Sequence, residues 1–135
     1  MPARSSFDYT LIRVVPRVER GECINVGVIL FCRTRRYLHA LIELDQQRLL
    51  AFAPDCDMAL IEQHLATIPR ICAGGTEAGY IGQLSQSERF HWLVAPRSTI
   101  IQTSPAHSGL CTDPATTIEH LMATMVRLPL PHRSV

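Results

Sequence analysis

The run CINVGVILFC, Cys23 to Cys32, constrains the fold of this protein more than any other ten residues. In an extended strand, successive side chains alternate between the two faces of a sheet. Ile24, Val26, Val28 and Leu30 make one set; Cys23, Ile29 and Phe31 make the other. Both sets are apolar, so the run predicts a strand buried on both faces, with a central place in its sheet. Two residues interrupt it. Asn25 and Gly27 would point to the face of Cys23, Ile29 and Phe31. One reading is a polar notch: Gly27 lets a backbone, ring or ligand approach, and Asn25 offers a donor and an acceptor beside the gap. The other is a β-bulge at Gly27, with Asn25 tying down the Arg20–Glu22 loop. Isolated strand glycines more often mark bulges or close packing.

The flanking segments extend the sheet. DYTLIRVV, Asp8 to Val15, alternates Tyr9, Leu11, Arg13 and Val15 against Thr10, Ile12 and Val14, and Pro16 ends it. RVERGE is a charged connection. Arg33 to Arg36 form a short basic turn, and Tyr37 to Leu44 are a third strand with Leu38, Ala40, Ile42 and Leu44 on one face. Short connections make these three an antiparallel meander. A helix follows, capped by Asp55 or Asp57, with Met58, Ile61, Leu65 and Ile68 at helical spacing and Pro69 to end or kink it. Ser85 and Glu88 fit a capping box before a short helix through Phe90, Trp92 and Leu93. Ser98 to Thr103 read as a fourth strand. Asp113-Pro114 opens the last helix, with Ile118, Leu121, Met122, Met125 and Leu128 as its stripe. The fold class is α+β: an antiparallel sheet of about four strands, the meander plus one later strand, with helices packed on one face. The 135 residues make a single domain, with residues 1–6 and 129–135 as loose tails.

Composition excludes whole classes of chemistry. All 13 basic residues are arginine and lysine is absent. That removes Schiff-base catalysis, a pyridoxal-phosphate lysine, a P-loop lysine and the ATP-pairing lysine of kinases. Arginine cannot replace them, because it stays protonated. The five cysteines, at 23, 32, 56, 72 and 111, contain no CxxC pair, and the six histidines no HxxxH pattern. Reduced, buried cysteines are expected, with no metal and no cofactor. No apolar run reaches the length of a bilayer span and the N-terminus lacks an apolar signal segment, so a cytoplasmic protein without membrane contact is expected. The net charge is +1, yet residues 1–36 carry seven Arg against three acids and the remainder six against nine. The basic turn has only Tyr37 as an aromatic neighbour, which argues against nucleic-acid binding through this Arg-rich third.

Few polar residues stand out as candidates for binding. Arg13 lies mid-strand among apolar neighbours and needs a partner, for which Glu22 or Glu43 would serve. The segment Ala95 to Gly109 gathers Arg97, Ser98, Gln102, His107 and Ser108, a set able to hold an anion. Ser98 or Ser108 with His107 and Asp113 could form a hydrolytic set, but no GxSxG elbow supports one.

The blocks IRVVPRVERGECINVGVILF and SERFHWLVAPRSTIIQTSPAHSGL resemble the bacterial domain-of-unknown-function family 3037. The likeness runs from about Tyr9 to the last helix. Its blocks map onto Arg13, Arg20, Glu22, Asn25, Gly27, Arg97, Gln102, His107 and Gly109 here. Ala106 stands where valine is common. The family has no established activity. The resemblance implies an accessory role beside a partner, a kinase-like protein similar to the HipA toxins. The expected function is therefore a small binding module acting through a protein partner, with a sheet edge or the basic turn as the contact and no enzymatic activity. The alternative is an anion- or nucleotide-binding enzyme domain whose pocket joins Arg13, Asn25, Arg97 and His107, and a weaker one is nucleic-acid binding through the Arg-rich N-terminal third.

Overall fold

A strand apolar on both faces needs neighbours at both edges, and the Val26–Cys32 run has them. In the computed structural model, which describes residues 3–97 and 99–128, β2 (Ile24–Cys32) lies between β1 (Ser5–Val14) and β3 (Tyr37–Ile42). All three are antiparallel. The far edge of β1 is shared by two short strands, β4 (Ile101–Thr103) against Ile12–Val14 and β5 (His107–Cys111) against Ser5–Tyr9. The fold is α+β with an open antiparallel sheet, as expected, and has five strands where about four were anticipated. The stretch 1–6 is not all tail, because β1 begins at Ser5. Residues 129–135 lie outside the described residues.

Among the described residues four α-helices complete the architecture: α1 (Gln46–Phe52), α2 (Met58–Ala73), α3 (Gln86–Val94) and α4 (Pro114–Leu121). Asp57 caps α2, Ser85 and Glu88 form the capping box of α3, and Asp113 with Pro114 opens α4. One sheet face, with Ile12, Val14, Ile29 and Phe31, is covered by α1, α2 and α3. The opposite face, with Leu11, Val28, Leu30 and Cys32, is covered by α4. Helices on one face therefore hold for α1 to α3 only. The reason lies in β2: Ile29 and Leu30 are fully buried on opposite faces, and full burial of such a side chain is worth about 1.5–3 kcal/mol. A single helical layer would leave one of those faces in water.

Three local departures have physical causes. Pro69 does not end α2, which continues to Ala73. The lost backbone hydrogen bond is outweighed by the burial of Ile71 and Cys72 beyond it. The stripe of the last helix changes register, because Met122–Val126 form a π-helical turn in which Arg127 N–H donates to the Met122 carbonyl at 2.9 Å. The wider turn buries Val126 in place of Met125, and Leu128 also stays exposed. The third departure is at Pro105, which interrupts the ladder between β4 and β5. Ser104 replaces the missing rungs: Leu11 N–H donates to its hydroxyl at 2.8 Å, and the Thr10 hydroxyl donates to its carbonyl at 2.5 Å. Both hydroxyl residues are buried.

Candidate functional site

The Asn25–Gly27 question resolves into a bulge. Ile12 pairs with Gly27 and Arg13 with Asn25, so Val26 is the extra residue. The inserted residue reverses the alternation and puts Asn25 on the opposite face from Ile29 and Phe31, correcting the shared-face expectation. There Asn25 accepts from Arg13 Nε at 3.4 Å and donates through Nδ2 to the Met125 carbonyl at 3.1 Å. It fastens β2 to the π turn, and among the described residues its side chain makes no hydrogen bond to the Arg20–Glu22 loop. Gly27 is small because β3 passes over it: an added Cβ would lie 2.5 Å from the Leu41 carbonyl oxygen.

Neither proposed carboxylate reaches Arg13. Glu22 pairs with Arg20, and Glu43 pairs with Arg127 at 2.6 Å, raising the Arg127 pKa by hydrogen bonding and charge. Arg13 sits half-buried beside Asn25, with no acid within salt-bridge distance among the described residues. A cavity of about 330 Å³ opens near Asn25, but its charged residues, Glu43, Asp45, Arg48 and Arg127, are of both signs.

The second block divides in the same manner. His107 is exposed and stacks on Tyr9, with ring centres 5.4 Å apart. Ser108 donates to Asp8 at 2.6 Å. Asp113 accepts from the Thr116 hydroxyl at 2.6 Å and from the Ala115 N–H at 3.2 Å, and these hold its carboxyl below the ordinary range. Ser108 and Asp113 thus have other partners, and no hydrolytic set assembles from them with His107; Ser98 lies outside the described residues. Gly109 makes room for the Phe7 ring, 2.8 Å from where its Cβ would stand.

Arg97 and Gln102 are different: both line one cavity of about 340 Å³ between α2, α3 and β4. Its walls are apolar, from Ile68, Ile71, Leu93 and Ile101. Arg97 stacks over the Trp92 ring, 4.1 Å from its centre, and donates to the Trp92 carbonyl at 2.7 Å. Cation–π stacking of this kind is worth about 0.5–1 kcal/mol at an exposed site. Gln102 Nε2 donates to the Thr99 carbonyl at 2.9 Å, shaping the rim. Among the described residues no Asp or Glu lines this cavity, and His64 is the only other titratable side chain there. The described cavities do not join Arg13, Asn25, Arg97 and His107. The first two meet on the α4 side of the sheet, Arg97 lies against the α2–α3 layer, and His107 stands on β5.

His64, Thr67 and Trp92 were not singled out by sequence. The single tryptophan of the protein, five residues before an arginine, was the available signal. Among the described residues no three His, Cys, Asp or Glu side chains gather as a metal site would require. No helix there is long and apolar enough to cross a membrane.

A family model described as a protein of unknown function, DUF3037, matches residues 9–126. No curated protein and no solved structure matches the sequence.

Proposed function

We propose that this protein, which belongs to the DUF3037 family, is a small binding module that acts by gripping a protein partner in the cavity between α2, α3 and β4. The observation that carries the reading is Arg97. It is a fixed cation on an apolar wall, held in place by Trp92, and no carboxylate lies within salt-bridge distance of it among the described residues. Apolar hollows with a few convergent polar groups are the usual form of a recognition site. Arginine and tryptophan are also the residue types most enriched among binding hot spots.

Catalysis is supported less well. The polar side chains that the two sequence blocks supply are occupied in structural bonds: Asn25 by the π turn, Ser108 by Asp8 and Asp113 by α4. The kinase-like neighbour implied by the resemblance is the first partner to test. Purified partner is titrated against wild type, Thr67→Trp and Arg33→Ala/Arg35→Ala/Arg36→Ala. Thr67 is exposed on α2 at the cavity rim, so a tryptophan there fills the hollow at the helix surface. Loss of binding with Thr67→Trp alone supports the cavity. Loss with the arginine variant alone moves the contact to the basic turn and refutes the reading.

A further inference from the structure

We infer that the occupant of this cavity is an extended segment of another protein, paired with the outer edge of β4 and placing a carboxylate on Arg97. The inference rests on the binding reading above and adds the conformation and chemistry of the ligand. Val15 N–H donates to the Ile100 carbonyl at 2.7 Å, and Ser104 N–H donates to the Leu11 carbonyl at 2.9 Å. These bonds flank the Arg13–Gln102 pair. In an antiparallel ladder the inward-bonding residues alternate, so Ile101 and Thr103 aim their backbone groups outward. Among the described residues no strand covers that edge. Of these outward groups, the Ile101 carbonyl accepts from the Thr99 hydroxyl at 2.7 Å, and the Ile101 N–H and both Thr103 groups have no hydrogen-bond partner among the described residues.

Natural sheets guard an exposed edge with charge, bulges or proline. The nearest prolines, 96 and 105, stand outside β4, and β4 itself carries no charged residue. The side chains of Ile101 and Thr103 face the same cavity that Arg97 lines. A strand added here would therefore send alternate side chains into the apolar hollow while its backbone bonds to β4. Charge complementarity fixes the ligand class: Arg97 offers a planar, always-charged fork suited to a carboxylate, and the lining has no acid to compete for it. That carboxylate is either an Asp or Glu side chain or the free C-terminus of the partner.

The test pans the full-length protein against two random decapeptide phage libraries, one with free C-termini and one tethered at the C-terminus. Enrichment of carboxylate-bearing peptides only in the first names the terminus; enrichment of Asp or Glu in both names the side chain. The strongest peptide is then synthesised with the carboxylate as its amide and with N-methyl groups on alternate residues. Expected is a loss of about tenfold or more from amidation, from Arg97→Gln and from one N-methyl phase but not the other. Failure of both libraries to yield carboxylate peptides, or equal tolerance of both methylation phases, overturns the inference. Thr67→Trp separates the two levels. If it abolishes binding while methylation has no effect, the cavity reading stands and the added strand falls. If it leaves binding intact, both fall. Unchanged melting temperatures of Arg97→Gln and Thr67→Trp assign any loss to the site.

Discussion

Replacing Gly27 with alanine would put a methyl group where β3 already stands. The new Cβ would lie 2.5 Å from the Leu41 carbonyl oxygen, 2.9 Å from Ile12 Cδ1 and 3.2 Å from Ile42 Cγ1. The first contact is with backbone that the β2–β3 ladder fixes, so the strands must part. Overpacking of this kind costs about 1–3 kcal/mol, and a backbone obstacle argues for the upper half. Gly27 has no positive φ, so alanine also stiffens the unfolded chain and returns about 0.4–1 kcal/mol. The expected net loss is about 2 kcal/mol. With a urea m-value of about 2 kcal/mol/M, the unfolding midpoint falls by about 1 M. Gly21→Ala is the control. Gly21 has φ +70 and nothing within 4 Å of its added Cβ, so only the left-handed backbone penalty of about 1–2 kcal/mol applies, before the same return. Adding Ile12→Val to Gly27→Ala removes the 2.9 Å contact and makes the pair non-additive. A Gly27→Ala midpoint shift smaller than that of Gly21→Ala, or full additivity with Ile12→Val, would refute the close-approach argument.

Arg89 is buried and donates through Nη1 to the Ile71 and Cys72 carbonyls at 2.8 and 2.6 Å, and through Nε to the Leu84 carbonyl at 3.0 Å. Arg89→Met leaves those carbonyls at the end of α2 without this donor, and equilibrium unfolding should show a loss of about 2–4 kcal/mol. The lowered pKa of Asp113 has a defined sign. Its folded carboxyl, held first by the Thr116 hydroxyl, loses its proton more readily than the unfolded one, whose pKa is near 3.8. The stabilisation is complete above that pH and disappears as the pH falls through the folded value. Asparagine still caps a helix, so the melting-temperature gap between wild type and Asp113→Asn should be open at about pH 6 and close toward about pH 3; a constant gap would refute the charge argument. Thiol labelling at about pH 8 should modify Cys23 first, because it is exposed, and Cys56 more slowly. Cys32, Cys72 and Cys111 should react only on unfolding: all three are buried, and burial pushes the Cys72 thiol up to about 12 despite nearby Arg89.

Local chemistry was legible wherever one segment decided its own conformation. Asp57, Ser85 with Glu88, and Asp113-Pro114 start their helices because a cap needs only residues within one turn. The meander β1–β2–β3 followed from alternation and short turns, and the centrality of β2 from its two apolar faces. The Arg97–Gln102 segment was flagged by its polarity, yet its cavity was not, because Ile68, Ile71 and Trp92 reach it from two other helices. Likewise β5 was hidden: HSGLC has little strand character alone and exists through pairing with Ser5–Tyr9. Sequence by itself thus determined the starts of α3 and α4, narrowed that of α2 to Asp55 or Asp57, and determined the central strand, the missing lysine chemistry and the family, whereas α1 behind its Asp45 cap went unread. Tertiary structure alone decided that Val26 bulges and sends Asn25 to the π turn, that α4 crosses to the second face, and that Arg97 meets Trp92 at an apolar hollow. Those outcomes depend on which backbones come within a few ångströms of one another, and no alternation or spacing along the sequence encodes that distance.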